Sequence, residues 1–158
     1  MPNTPHNLPQ THCYFTAHDA LGNAIFYDKP EEVNMKPLGP ALFSVLFTTN
    51  KFPHEFDDDK DVVSFLNYKG IVPVSMPNGT VVRIVDLAPD EASPMHRTTS
   101  LDYGVVLEGE VLLVLEDLDN GPRRLMKRGD VSVQRATNHA WGKALPDHGI
   151  GDIDMPEQ

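Results

Sequence analysis

The chain has 158 residues, 23 of them acidic and 13 basic, giving a formal charge of −10. That length supports one well-buried domain, covering roughly 70% of its unfolded surface, and is short for two. The charge would repel a phosphate backbone and no basic stripe escapes it, which argues against nucleic acid as a partner.

Taken in order, residues 1 to about 12 are polar and proline-rich and read as loosely held. They carry no charged n-region followed by an apolar stretch, so no secretory leader is expected. No apolar run is long enough to span a bilayer. Cys13 is the single cysteine, which leaves no disulfide framework and no thiolate cluster for zinc. A cytoplasmic protein without membrane contact is the expectation. His6, His12 and His18 have no spacing that suits a shared ligand and read as surface histidines. Short strands are predicted over 13–16 and 24–27 around a turn at 19–23, then a connector over 30–40. Residues 41–49 read as a strand that is apolar on both faces, so a second sheet or another subunit should cover it. The run Asp57-Asp58-Asp59 reads as a solvated acidic loop capping a helix-like stretch over 60–68. Asn78-Gly79 signals a turn. The strand that follows, 80–87, puts Val81, Arg83, Val85 and Leu87 on one face. Arg83 there either clamps a substrate carboxylate or enolate or pairs with Asp86 or another surface acid.

Residues 94–143 hold the densest pattern. As extended chain, His96, Thr98, Ser100 and Asp102 share one face, and four polar groups in a row suit solvent or a pocket floor. Val105-Val106-Leu107 runs into a Glu108-Gly109 corner and Val111-Leu112-Leu113-Val114-Leu115 leaves it, which reads as two strands joined by a glycine turn. Residues 118–122 make another turn, and Gly129-Asp130 opens a β-branched run. His139 and Trp141, two apart, share a face. The apolar runs over 41–49 and 111–115, both two-faced, predict a homodimer.

These segments resemble the paired motifs of the cupins, double-stranded β-helix (jelly-roll) proteins, which read G-x5-H-x-H-x3,4-E-x6-G and G-x5-P-x-G-x2-H-x3-N. His96 falls on the first histidine and Gly109 on the closing glycine. Gly129 opens the second motif and His139 falls on its histidine with one residue deleted. Thr98 stands where the family has a second histidine, Asp102 for its glutamate, Asp90 for the opening glycine and Lys143 for the final asparagine. The wording from about residue 12 to 142, including Pro77-Asn78-Gly79-Thr80-Val81, is similar to small fungal cupins encoded beside polyketide synthases, some in salicylaldehyde-type clusters. Within that subgroup Thr98 and Asp102 look usual.

The resemblance implies an all-β jelly roll with an N-terminal arm and one short helix over 1–70, a barrel over 71–143, and a tail over 144–158 too polar for the closing strand. It implies an oxidoreductase-type tailoring enzyme acting on a small polyketide-like molecule. Iron, manganese or zinc is then held by His96, Asp102 and His139, two imidazoles and a carboxylate being enough for a centre with open positions. Without metal, the same three residues make an acid/base set, with Asp102 fixing a histidine tautomer. Thr98, Ser100, Arg83 and Trp141 would bind substrate, Trp141 by stacking on a flat ligand. Dehydration, isomerisation or decarboxylation suits such a set. A barrel that only binds a small molecule is the remaining alternative.

Overall fold

The computed structural model describes residues 8–27, 31–39, 41–68 and 72–142. The expectations for residues 1–7, for the barrel start at Ile71, for Lys143 and for the tail 144–158 lie outside these.

The arm supplies β1 (His12–Cys13), β2 (Thr16–His18), β3 (Ala24–Phe26) and β4 (Glu31–Glu32). β1 pairs with β4, and β2 with β3, all antiparallel. The turn between β2 and β3 is built on Asp19. Its carboxylate accepts hydrogen bonds from the backbone N–H of Leu21 and Asn23 and from the Asn23 side-chain amide, each at 2.9 Å. His12 and His18 are exposed, as surface histidines should be.

A three-stranded sheet follows from β5 (Lys36–Leu38), β6 (Ala41–Thr48) and, beyond the helix α1 (Lys60–Leu66), β7 (Val81–Leu87), in the order β5-β6-β7. The β6–β7 register shifts between Val45 and Phe47, which lets one extra residue into β6. Phe15, Phe47 and Phe65 meet with ring centroids 5.4 to 6.3 Å apart, and this triad ties the arm and α1 to the sheet. The acidic run forms a 3-10 turn over Asp57–Asp59, and Asp59 sits at the helix N-cap with a left-handed backbone. Its side chain makes no capping hydrogen bond, so the expected cap is absent.

The rest is six strands: β8 (His96–Arg97), β9 (Leu101–Val105), β10 (Glu110–Leu115), β11 (Arg123–Lys127), β12 (Val131–Arg135) and β13 (Asn138–Gly142). They form one sheet in the order β11-β10-β13-β8 and a second of β12 and β9. Two expectations change here. His96 and Asp102 are not on one strand, because a bend at Thr99 and Ser100 ends β8 and sends β9 to the other sheet. The Glu108-Gly109 corner does not close a hairpin either, since β9 pairs with β12 and β10 with β11 and β13. Val106 is buried there. It accepts from the Gly129 N–H at 2.8 Å and donates to the Asp130 carbonyl at 3.1 Å, so the two glycine corners are stitched side by side. Both cross between sheets, while the turn over 118–122 is a true hairpin. This alternation between facing antiparallel sheets is the jelly roll.

Cross-strand partners share a face. One face of the larger sheet carries Leu112, Val114 and Ala140, the last two buried at 2% and 0% exposure. The other carries Leu113, Leu115, His139 and Trp141. The β10 run is two-faced as expected, with Val114 buried and Val111, Leu112, Leu113 and Leu115 half-buried. The smaller sheet is inverted. Leu101, Tyr103, Val105, Val131 and Val133 are exposed, while Asp102, Gly104, Ser132 and Gln134 point to its covered side.

The Asp19 turn gives a pH-dependent prediction. Hydrogen bonding, first from the Asn23 side chain, holds the Asp19 carboxyl below its ordinary value. Its contribution is therefore present above the unfolded-state carboxylate value and lost as pH falls through the folded one. Asp19→Ala should lower Tm at neutral pH, and the gap to the parent should close in acid when both are melted across that range.

Candidate functional site

His139 is the second residue of β13, with Leu115 opposite it on one side and His96 on the other. The register brings the two imidazoles together, with centroids 4.4 Å apart and planes at 50°. His139 is buried at 3% exposure, and His96 is open to solvent. Each ring is fixed by a main-chain carbonyl close by in sequence. His139 Nδ1 lies 3.0 Å from the Thr137 oxygen, and His96 Nδ1 lies 2.8 Å from that of Pro94. A carbonyl only accepts, so Nδ1 carries the proton in both neutral rings and the Nε2 lone pairs are left for a ligand.

Trp141, half-buried, stands edge-on to His139 at 6.1 Å. Its backbone N–H donates to Ser93 Oγ at 2.9 Å, and its carbonyl accepts from the Ser93 N–H at 2.6 Å. The indole reaches across to the second sheet. A Cβ placed on Gly104 would lie 3.3 Å from the ring and 2.7 Å from Ser132 Oγ. A side chain there would press on Ser132 and push the indole back by a few tenths of an ångström, and the closeness of Gly104 to Trp141 marks the two inner faces as opposed.

Asp102 belongs to the opposite wall. Its Oδ2 accepts from Thr98 Oγ1 at 2.9 Å, and Thr98 is buried. It makes no hydrogen bond to either imidazole among the described residues, so the tautomer-fixing role expected of it falls to the two main-chain carbonyls. Arg83, on β7, donates to the Pro73 carbonyl. Burial pushes its guanidinium below the ordinary value while the Asp102 charge acts in the opposite direction. Ser100 lies half-buried in the bend, with no hydrogen-bond partner among the described residues.

No protein-family model matches the chain. It is 42% identical over 131 residues to phomopsin biosynthesis cluster protein C' of Diaporthe leptostromiformis, covering 81% of this chain and 68% of that one. It is 40% identical over 138 residues to the cupin-domain-containing oxidoreductase virC of Hypocrea virens, covering 85% and 68%. Oryzines biosynthesis cluster protein J of Aspergillus oryzae is 38% identical over 138 residues, covering 85% and 75%. The chain belongs to the cupin-domain proteins of fungal biosynthetic clusters.

Tested as a metal centre, this cupin site supplies two imidazole nitrogens from one wall. The carboxylate that would complete a three-donor set is engaged with Thr98 on the other wall. Among the described residues no three His, Cys, Asp or Glu side chains gather to take an ion. The three-donor set implied by the motifs does not fit as the side chains stand.

Sequence reasoning missed Gln134 and Thr137. Gln134 is the cross-strand partner of Asp102, is buried at 4% exposure, and accepts from Thr137 Oγ1 at 2.5 Å. The alternation Val131-Ser132-Val133-Gln134-Arg135 held the signal, but the apolar set was the natural choice for the covered side.

Gly104→Ala tests the opposed walls. It should cost about 1 to 3 kcal/mol through overpacking and displace the indole. Denaturant unfolding reads the first, and the emission of the chain's single tryptophan reads the second.

Proposed function

We propose that this cupin is a tailoring enzyme of fungal secondary metabolism that moves a proton on a small carbonyl compound. The observation that carries the reading is the histidine pair, with both Nδ1 atoms directed at main-chain oxygens and neither Nε2 hydrogen-bonded among the described residues. His139, shielded from water, takes a proton from the carbon beside the carbonyl through Nε2. The electron pair moves toward the carbonyl oxygen, forming an enolate, and the Arg83 guanidinium, within the field of Asp102, would offer it positive charge. Reprotonation at a different atom completes an isomerisation that needs no co-reactant, and solvent-exposed His96 exchanges protons with water. Asp102, held by Thr98, supports the Arg83 charge. Trp141 offers its ring to a flat substrate beside His139.

A second reading, an oxidoreductase, is favoured by the cupin-domain-containing oxidoreductases among the relatives, virC and fogC, and an aromatic or pre-aromatic polyketide is the substrate it would take. It requires a redox-active metal or an organic redox cofactor at the histidine pair.

The two readings separate in one assay. The metabolite that accumulates when the gene is deleted is incubated with the purified protein in D2O. Proton transfer predicts deuterium on carbon, undiminished by a chelator. His139→Ala should lower the rate 10²- to 10⁴-fold, and Asp102→Asn should lower it less. Stoichiometric iron, manganese or zinc in protein purified without chelator, with turnover lost on removing it, would overturn the proton-transfer reading in favour of the redox one. A silent binding barrel would show neither exchange nor turnover, and would keep its affinity for the metabolite in both variants.

A further inference from the structure

The smaller sheet, β12 with β9, turns its apolar side outward. Cross-strand pairing lays that side out in three rows: Leu101 beside Arg135, Tyr103 beside Val133, and Val105 beside Val131. The five apolar side chains are 54 to 71% exposed, and Arg135 is open to solvent as well. The apolar residues of β6 and β10, by contrast, are half-buried or buried within the chain, so the partner expected for those runs has less to cover.

Exposing five adjoining apolar side chains to water is unfavourable, and a patch of this kind marks an interaction surface. The five amount to roughly 600 Å², the upper end for the largest apolar patch of a monomer and most of the about 800 Å² that each partner gives to a stable interface. No acidic side chain stands in the three rows, so two copies of an acidic chain can meet there without burying like charge.

The rows also complement themselves. A two-fold axis lying in the face along the strands sets β9 of one copy over β12 of the other, as a self-matching contact requires. Tyr103, the largest side chain of the face, then covers the small Val133, and the same contact repeats in the other half. Leu101 meets the Arg135 stem, whose charged head reaches water at the end of the strand. We infer that this chain forms a two-fold dimer through the outward face of β9 and β12, with Tyr103 of each copy seated on Val133 of the other. The dimer accounts for the inverted wall. Asp102, Ser132 and Gln134 can face the lumen because the apolar side gains its burial from the second copy. The pairing leaves the histidine pair, on the far side of that wall, uncovered, and it holds whichever chemistry the histidines perform.

Sedimentation equilibrium of the full chain over a range of concentrations should give twice the monomer mass. Tyr103→Glu and Val133→Lys should each weaken the dimer by at least about a hundredfold, because the symmetry makes every substitution count twice. Mixed in equal amounts, the two variants should associate again, since one half of the mixed dimer keeps both original residues and the other sets Glu against Lys. Val85→Lys, at a comparably exposed apolar position of β7, should leave the dimer intact. A monomer at every concentration, a dimer that either face variant leaves unchanged, equal weakening by Val85→Lys, or no recovery on mixing would overturn the assignment. Should a face variant fail to fold, the parent decides it. The methyl resonances of Leu101, Val105, Val131 and Val133 must move on dilution, and movement at Val82 and Val85 instead would exclude this face.

Discussion

The antiparallel register of β13 between β8 and β10 fixes what the lumen contains. A one-residue slip would turn His139 and Trp141 to the face now held by Val114 and Ala140, burying two polar rings in an apolar layer and opening the lumen wall. Ala140, with no exposed surface, and Gly142, whose Cβ would fall 2.9 Å from that of Ala92, leave no room on that side for anything larger. Register and side-chain size therefore reinforce each other. The pairing of His139 with His96 follows from that lock, because β8 contributes only two residues and owes its position to β13 and the Ser93 contacts.

The opposite wall works by inversion. In an ordinary half-buried strand the apolar residues face in, yet β9 and β12 expose theirs and cover Asp102, Gly104, Ser132 and Gln134. Covering polar groups is unfavourable unless they are matched. Asp102 is matched by Thr98, the Gln134 oxygen by Thr137, and Arg83 by the Pro73 carbonyl and the field of Asp102. The outward face, with Tyr103 at 71% exposure and Val131 at 60%, is the apolar surface this arrangement leaves over.

Much of this was legible in the residues. Period-two alternation and glycine corners located the strands from 81 onward, and the motif spacing indicated that His96 and His139 belong together. Pairing partners were not legible. A glycine corner such as Glu108-Gly109 looks the same whether it folds a strand back on its neighbour or carries it across to a facing sheet, and only the stitching of Val106 to Gly129 and Asp130 decides. The same limit hid the break at Thr99 and Ser100. Polar residues continue the alternation through it, so one strand was the simplest reading. Gln134 escaped because its meaning depends on which side of β12 is covered, a property of the opposed sheet rather than of the strand.

The means of orienting the histidines also bears on which chemistry the lumen can hold. A carboxylate partner would stabilise a cationic ring and could be removed by a single substitution. Main-chain carbonyls at Pro94 and Thr137 offer a weaker, neutral acceptor that no side-chain change deletes. They fix the tautomer without supplying a counter-charge inside the wall that holds the histidines. The Asp102 carboxylate stands on the opposed wall, engaged with Thr98 and acting on the Arg83 charge. For the proton transfer proposed above, a substrate that develops negative charge meets no carboxylate hydrogen-bonded to either histidine among the described residues, whereas a cation would have to draw Asp102 away from Thr98 before finding a compensating charge.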